Sequence, residues 1–130
     1  MTSVTRWAAR LVGAGLLGAT AGIHAYLWDN GYRSLPKIGP LFGVLIVSAS
    51  ILCLVVLATP QRFLGLASLA GAGLLAGTMI GLIIFTNFTI FNFRESTAET
   101  LYWQSITVES IGIVILGGLA ATNLRRSPGR

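Results

Sequence analysis

Few residues in this chain have types and spacings that could do chemistry. Glu109 lies inside an otherwise uncharged stretch from 100 to 124, and His24, the only histidine, lies near the end of an earlier one. A carboxyl group at the centre of an inserted helix costs about 2.5–3.5 kcal/mol, so it is expected to face protein or water rather than lipid. Tyr102, Ser105, Glu109 and Gly112 follow one another at steps of three and four, which places them on one small, polar helical face. Such a face suits the interior of a bundle. Desolvation there favours the neutral acid, and a nearby cation favours the carboxylate. His24, Arg33 and Arg94 are the available partners, because all three are expected at the same end of the bundle. A His24–Glu109 pair could shuttle a proton or hold a metal weakly; a structural hydrogen bond between helices is the plainer reading.

The remaining catalytic vocabulary is missing. One histidine and one cysteine, Cys53, make neither a bis-histidine haem site nor a closed zinc site, and they exclude an intrachain disulfide. The chain contains no His-Glu-x-x-His, no Gly-x-Ser-x-Gly and no dinucleotide fingerprint. Nothing links a serine or threonine to a base. No metal, no cofactor and no enzymatic activity is therefore expected.

The elements that must position Glu109 and His24 follow from composition. Of 130 residues, 54% are hydrophobic and 10% charged, against roughly 25% charged in a soluble domain. Mean hydropathy is +0.78. A soluble fold of this size cannot hide that much apolar surface. The net charge is +5, but the basic residues sit in short breaks between apolar runs, not clustered among aromatics, so nucleic acid is not an expected partner. Four apolar stretches, at 8–28, 40–59, 63–85 and 101–123, each reach the roughly 20 residues a spanning helix needs. The expected fold is an all-α bundle of four transmembrane helices in a single domain, multi-pass in the plasma (inner) membrane of a bacterium. Asp29-Asn30-Gly31, Thr59-Pro60-Gln61 and 94–99 carry the turns, and the Pro60 turn makes spans two and three a tight hairpin.

Orientation follows from the basic residues. Arg6, Arg10, Arg62, Arg125, Arg126 and Arg130 fall on one side, and Arg33, Lys37 and Arg94 on the other. The richer side is expected in the cytoplasm, with both termini. A different reading takes Arg6, Arg10 and the small triplet Ala19-Thr20-Ala21 as a cleavable signal peptide, which would leave three spans. The apolar run continues past that triplet to Trp28, which suits a spanning helix better.

Small residues recur at four-residue steps: Ala14, Gly18 and Gly22 in the first span, and Gly73, Gly77 and Gly81 in the third. Such stripes let helix backbones approach closely in lipid. Gly18, Gly22, Gly73, Gly77 and Gly81 are accordingly expected at a seam within the bundle, in preference to a homodimer face. Tyr26, Trp28, Tyr32, Phe85, Phe88, Phe91, Phe93, Tyr102 and Trp103 gather at the outer side as an interfacial belt, the sharper alternative being a lipid- or quinone-facing groove.

The stretch Tyr32-Arg33-Ser34-Leu35-Pro36-Lys37-Ile38-Gly39-Pro40-Leu41-Phe42, preceded by His24 and Trp28, resembles a first-loop signature of uncharacterised small four-span actinobacterial integral membrane proteins. Asn92-Phe93-Arg94-Glu95 resembles a second signature of the same group. The resemblance implies the four-span layout and no activity. Small multidrug-resistance transporters match in length, but they carry their intramembrane glutamate in the first span, where this chain has His24. Two functions stay in view. One is a non-catalytic accessory or scaffold subunit, packed in membrane lipid against a larger membrane complex or against copies of itself. The other is a proton-coupled or lipophile-binding small carrier centred on Glu109 and His24.

Overall fold

In a computed structural model describing residues 2–125, the chain is all-helical. Helix α1 spans Ser3–Asp29, α2 Ile38–Ala58, α3 Gln61–Asn87 and α4 Tyr102–Arg125, with one 3-10 turn at Tyr32–Ser34. All four helices are long and apolar enough to cross a membrane. Val44, Ile51, Leu54, Leu66, Ile80 and Val114 are exposed on the outside of the bundle, an apolar surface of the kind that suits lipid better than water. Arg126 and Arg130, counted above for orientation, lie outside the described residues.

Each helix starts or stops where local chemistry requires. Thr2 caps α1 by accepting from the Thr5 amide. Pro40 sits in the first turn of α2, where its missing N–H costs nothing. Pro60 turns α2 directly into α3. The triplet Ala19-Thr20-Ala21 lies mid-helix in α1, with Thr20 and Ala21 buried. Two ends of the bundle result. The hairpin end holds the Pro60 turn, and the capped end holds the connections 30–37 and 88–101.

The core is aliphatic and is built around glycines. Leu17, Val56, Leu64, Leu75, Leu116 and Leu119 are almost wholly buried. A Cβ added at Gly13 would stand 2.6 Å from Leu116 Cδ2, one at Gly65 would stand 2.9 Å from Leu124 Cγ, and one at Gly112 would overlap the Leu75 side chain. Gly71 receives Leu116 and Leu17 in the same way. The seams are therefore knobs of leucine set into holes left by Gly13, Gly65, Gly71 and Gly112.

This corrects the expected glycine assignment. Of the five glycines placed at a seam from the sequence, Gly18 alone meets a neighbour, with Cys53 Sγ at 3.6 Å from its added Cβ. Gly22, Gly73, Gly77 and Gly81 have nothing within 4 Å of such an atom. The reason is how the helices pair: α3 packs most closely on α4, and α1 on α2. Helices α2 and α3 are held together near their hairpin, where Val56 and Leu64 are buried. Toward the capped end they part, and the Gly73–Gly77–Gly81 stripe forms the floor of the gap.

Arg10 also lies elsewhere than a topological charge would. It is buried, its Nε donates to Val56 O at 2.6 Å, and its guanidinium also donates to Thr59 O. It thereby satisfies carbonyls at the α2 C-terminus that have no partner within the helix, and its charge complements the negative end of that helix.

Candidate functional site

The two loop motifs singled out in the sequence meet at the capped end. The Tyr32 hydroxyl donates to both oxygens of Glu95, at 2.9 and 3.0 Å. Its ring stacks on Phe42 at 4.9 Å and meets the edge of Phe93 at 5.7 Å, and Phe93 in turn meets Phe85. Trp28 Nε1 donates to Gly39 O at 3.1 Å. A Cβ at Gly39 would collide with the Arg33 carbonyl, so the first motif needs glycine there. Lys37, Phe91, Asn92 and Leu101 hold left-handed backbone conformations in these connections, an uncommon state for residues with side chains. The result is a clasp joining the α1–α2 connection to the α3–α4 connection.

Beneath the clasp, between α2 and α3, lies a groove of about 360 Å³. Ile38, Leu41, Phe42 and Leu45 wall one side, and Leu74, Leu82 and Phe85 the other, over the glycine stripe. The polar groups are few: Thr78 part-way along, and His24 and Glu95 at the capped end. From Gly73 to Phe85 the α3 wall runs about 18 Å at 1.5 Å per residue. Tyr26, Phe88, Phe91 and Trp103 are exposed, as a belt would have them, whereas Tyr32, Phe42, Phe85 and Phe93 form the clasp and the groove's upper wall.

His24 is buried and faces this groove. Its Nδ1 lies 2.8 Å from Thr20 O. A carbonyl accepts only, so Nδ1 carries the hydrogen in this contact, and a neutral ring then presents its lone pair at Nε2. Its ring packs on Phe42 with centroids 5.0 Å apart.

Glu109 is fully buried, on the polar face expected for it: Tyr102, Ser105 and Gly112 are buried with it. Its hydrogen-bond partner is Ser105, whose Oγ donates to Oε2 at 2.7 Å. Its Oε1 has no hydrogen-bond partner among the described residues. None of the expected partners reaches it. His24 bonds its own helix, Arg33 lies 4.0 Å from Asp29 and 5.4 Å over Trp28, and Arg94 Nε donates to Thr86 O. The candidate set thus divides into His24 at the groove, Glu109 in the seam, and two arginines at the cap surface. The sequence places Tyr32 and Phe93 in the interfacial belt and gives Phe42 and Glu95 no role beyond their motifs. The signal was the recurrence of aromatics with one acid in two separate loops.

Burial pushes the Glu95 carboxyl above the usual carboxylate range; the Tyr32 hydroxyl and Ser96 amide oppose that, and the Glu99 charge adds to it. Burial, then the Glu95 contact, pushes the Tyr32 phenol well up. A carboxyl whose folded pKa is raised stabilises the fold fully below the ordinary range and loses that contribution as pH rises through the raised value. Glu95→Gln keeps an acceptor for Tyr32 without the charge. Thermal stability of the wild type is expected to fall relative to Glu95→Gln as pH rises from the acid side to neutrality, as read by melting curves of both proteins. A constant difference between them would refute this.

No protein-family description, curated protein or solved structure matches this chain.

Proposed function

We propose that this is a plasma-membrane protein with both termini in the cytoplasm, and that it binds a lipophile in the groove between α2 and α3. The observation that carries this reading is the groove itself: an apolar channel of about 360 Å³, within the range of ligand sites, ending on two acceptor groups. The basic-residue split supports the orientation and puts the clasp on the outer side. The groove walls match an aliphatic or isoprenoid chain. At its end, the His24 Nε2 lone pair and the Glu95 carboxyl both accept hydrogen bonds, and the aromatic faces of Phe42 and Phe93 line the approach. Such an end favours a head that donates hydrogen bonds and carries no negative charge. A delipidated preparation is expected to take up a long-chain alcohol saturably and to discriminate against the carboxylate of equal length. Equal uptake of the two would contradict the head-group assignment.

The open glycine stripe favours a second reading. Gly73, Gly77 and Gly81 also suit the close approach of a partner's helix, as in an accessory subunit of a larger membrane complex or a homo-oligomer. In that case a second membrane protein, or a second copy of this chain, co-purifies stoichiometrically and is lost in Gly77→Leu, and the wild type takes up no alcohol.

A further inference from the structure

We propose that Glu109 is a proton-binding site loaded from the capped end, through a small cavity beneath the clasp that shares His24, Phe42, Leu82 and Glu95 with the wall of the lipophile groove. The inference does not rest on the lipophile reading. It starts from two buried groups that the fold leaves incomplete. Glu109 Oε1 and Thr20 Oγ1 are both buried without a hydrogen-bond partner among the described residues, and a buried polar atom left so is costly. The seam between α1 and α4 is antiparallel and pairs Gly13 with Leu116 and Leu16 with Gly112. Continued by one turn, the same register brings Thr20 level with Glu109, and His24 level with Ser105. The two incomplete groups thus stand at one height in the same seam.

The cavity supplies the route. It holds about 30 Å³, and His24, Tyr32, Glu95, Glu99, Thr100, Tyr102 and Ser105 contribute its polar lining. A water needs about 10–15 Å³ and two to four polar partners, so this space admits one or two. Glu99 and Thr100 are exposed at the cap, and Ser105 lies at the inner end, already donating to Glu109. Loading is then a relay with no other change of bonding. A proton from bulk water enters beside Glu99 and Thr100. Water in the cavity passes a proton to Ser105 Oγ as the existing Ser105 hydrogen moves to Glu109 Oε2. The serine ends as it began, the carboxylate becomes the neutral acid, and unloading is the reverse.

Among the described residues, no charged side chain stands level with Glu109 on the helices packed around it. On α1 the nearest titratable side chain is His24, one turn toward the cap. On α2 the only one is Cys53, level with Gly18. On α3 the register set by Gly112 with Leu75, and by Tyr102 with Thr86, places Thr78 opposite Glu109; the sole charged residue of that helix, Arg62, is at the hairpin end. On α4 itself Tyr102 is two turns away.

Infrared spectroscopy of the full chain in lipid bilayers tests this. The wild type is expected to show a carboxylic-acid band at neutral or acid pH that Glu109→Gln lacks. On transfer to heavy water the band should shift during mixing, far faster than amides that exchange by local opening. Thr100→Trp, a surface change that fills the cavity mouth, and Ser105→Leu, which removes the relay hydroxyl, should each slow the shift by about tenfold or more relative to the wild type. If Ser105→Leu does not fold, Thr100→Trp decides. The proposal is overturned if no band depends on Glu109, if the wild-type band exchanges no faster than the α4 amides, or if the folded blocking variants exchange at the wild-type rate.

Discussion

Replacing Gly112 by leucine is expected to destabilise the bundle strongly, whereas the same change at Gly77 is expected to leave its stability unchanged. Gly112 stands where three helices meet: a Cβ there overlaps Leu75 of α3 and lies 3.5 Å from Leu16 Cβ of α1. Leu75 is wholly buried, so its side chain can yield only into its own neighbours. A leucine at 112 must therefore wedge α4 away from both neighbours. Overpacking a filled core costs about 1–3 kcal/mol even where the surroundings can adjust, and here the obstruction lies on both sides. A loss of about 3 kcal/mol or more, corresponding to a fall in melting temperature on the order of 10 °C, is expected in detergent. At Gly77 nothing lies within 4 Å, so a leucine enters open space. Equal melting temperatures for the two variants would show that the seams have been assigned to the wrong glycines.

Arg10→Ala is expected to have the next largest effect. Its guanidinium joins α1 to the end of α2 through two carbonyls, Val56 O and Thr59 O, while packing over the Trp7 ring at 4.6 Å. Hydrogen bonds from a charged donor contribute about 1.5–3 kcal/mol, and leaving their buried acceptors bare adds to the loss. Alanine should therefore cost about 2–3 kcal/mol. Lysine should recover only part of it, because a single ammonium cannot reproduce the forked donation of a guanidinium. Thermal melts of wild type, Arg10→Lys and Arg10→Ala should fall in that order. If alanine and lysine melt alike, at the wild-type temperature, Arg10 serves only as an orienting charge.

Hydropathy and turn chemistry made the four helices legible, because lipid imposes length and apolarity on each span separately. The buried face of α4 was legible too, since Tyr102, Ser105, Glu109 and Gly112 repeat at helical spacing and a carboxyl group cannot face lipid. The glycine seams were not legible. A small-residue stripe reads the same whether a helix, a lipid or a ligand covers it, and the choice is made by the knobs opposite, here Leu116, Leu75 and Leu17. Arg10 carries a signal of its own: it shares one helical face with Ala14, Leu17, Ala21 and His24, all of them buried. A charge on such a stripe points inward and must find acceptors. The clasp lay beyond reach, because Tyr32 and Glu95 are distant in sequence and each loop alone reads as a surface turn.

The central claim, that the α2–α3 groove takes a lipophile, is tested most directly by fluorescence of Trp28, which is bonded to Gly39 beside the groove-lining Ile38. With Trp7 and Trp103 replaced by phenylalanine, Trp28 is the sole tryptophan. A brominated long-chain alcohol is added to the delipidated protein in detergent. Saturable quenching of Trp28 is expected in the protein with Gly77 intact, and only the weak, linear quenching of bulk partitioning is expected once Gly77→Leu fills the groove floor. Linear quenching of the same slope in both proteins would contradict the claim.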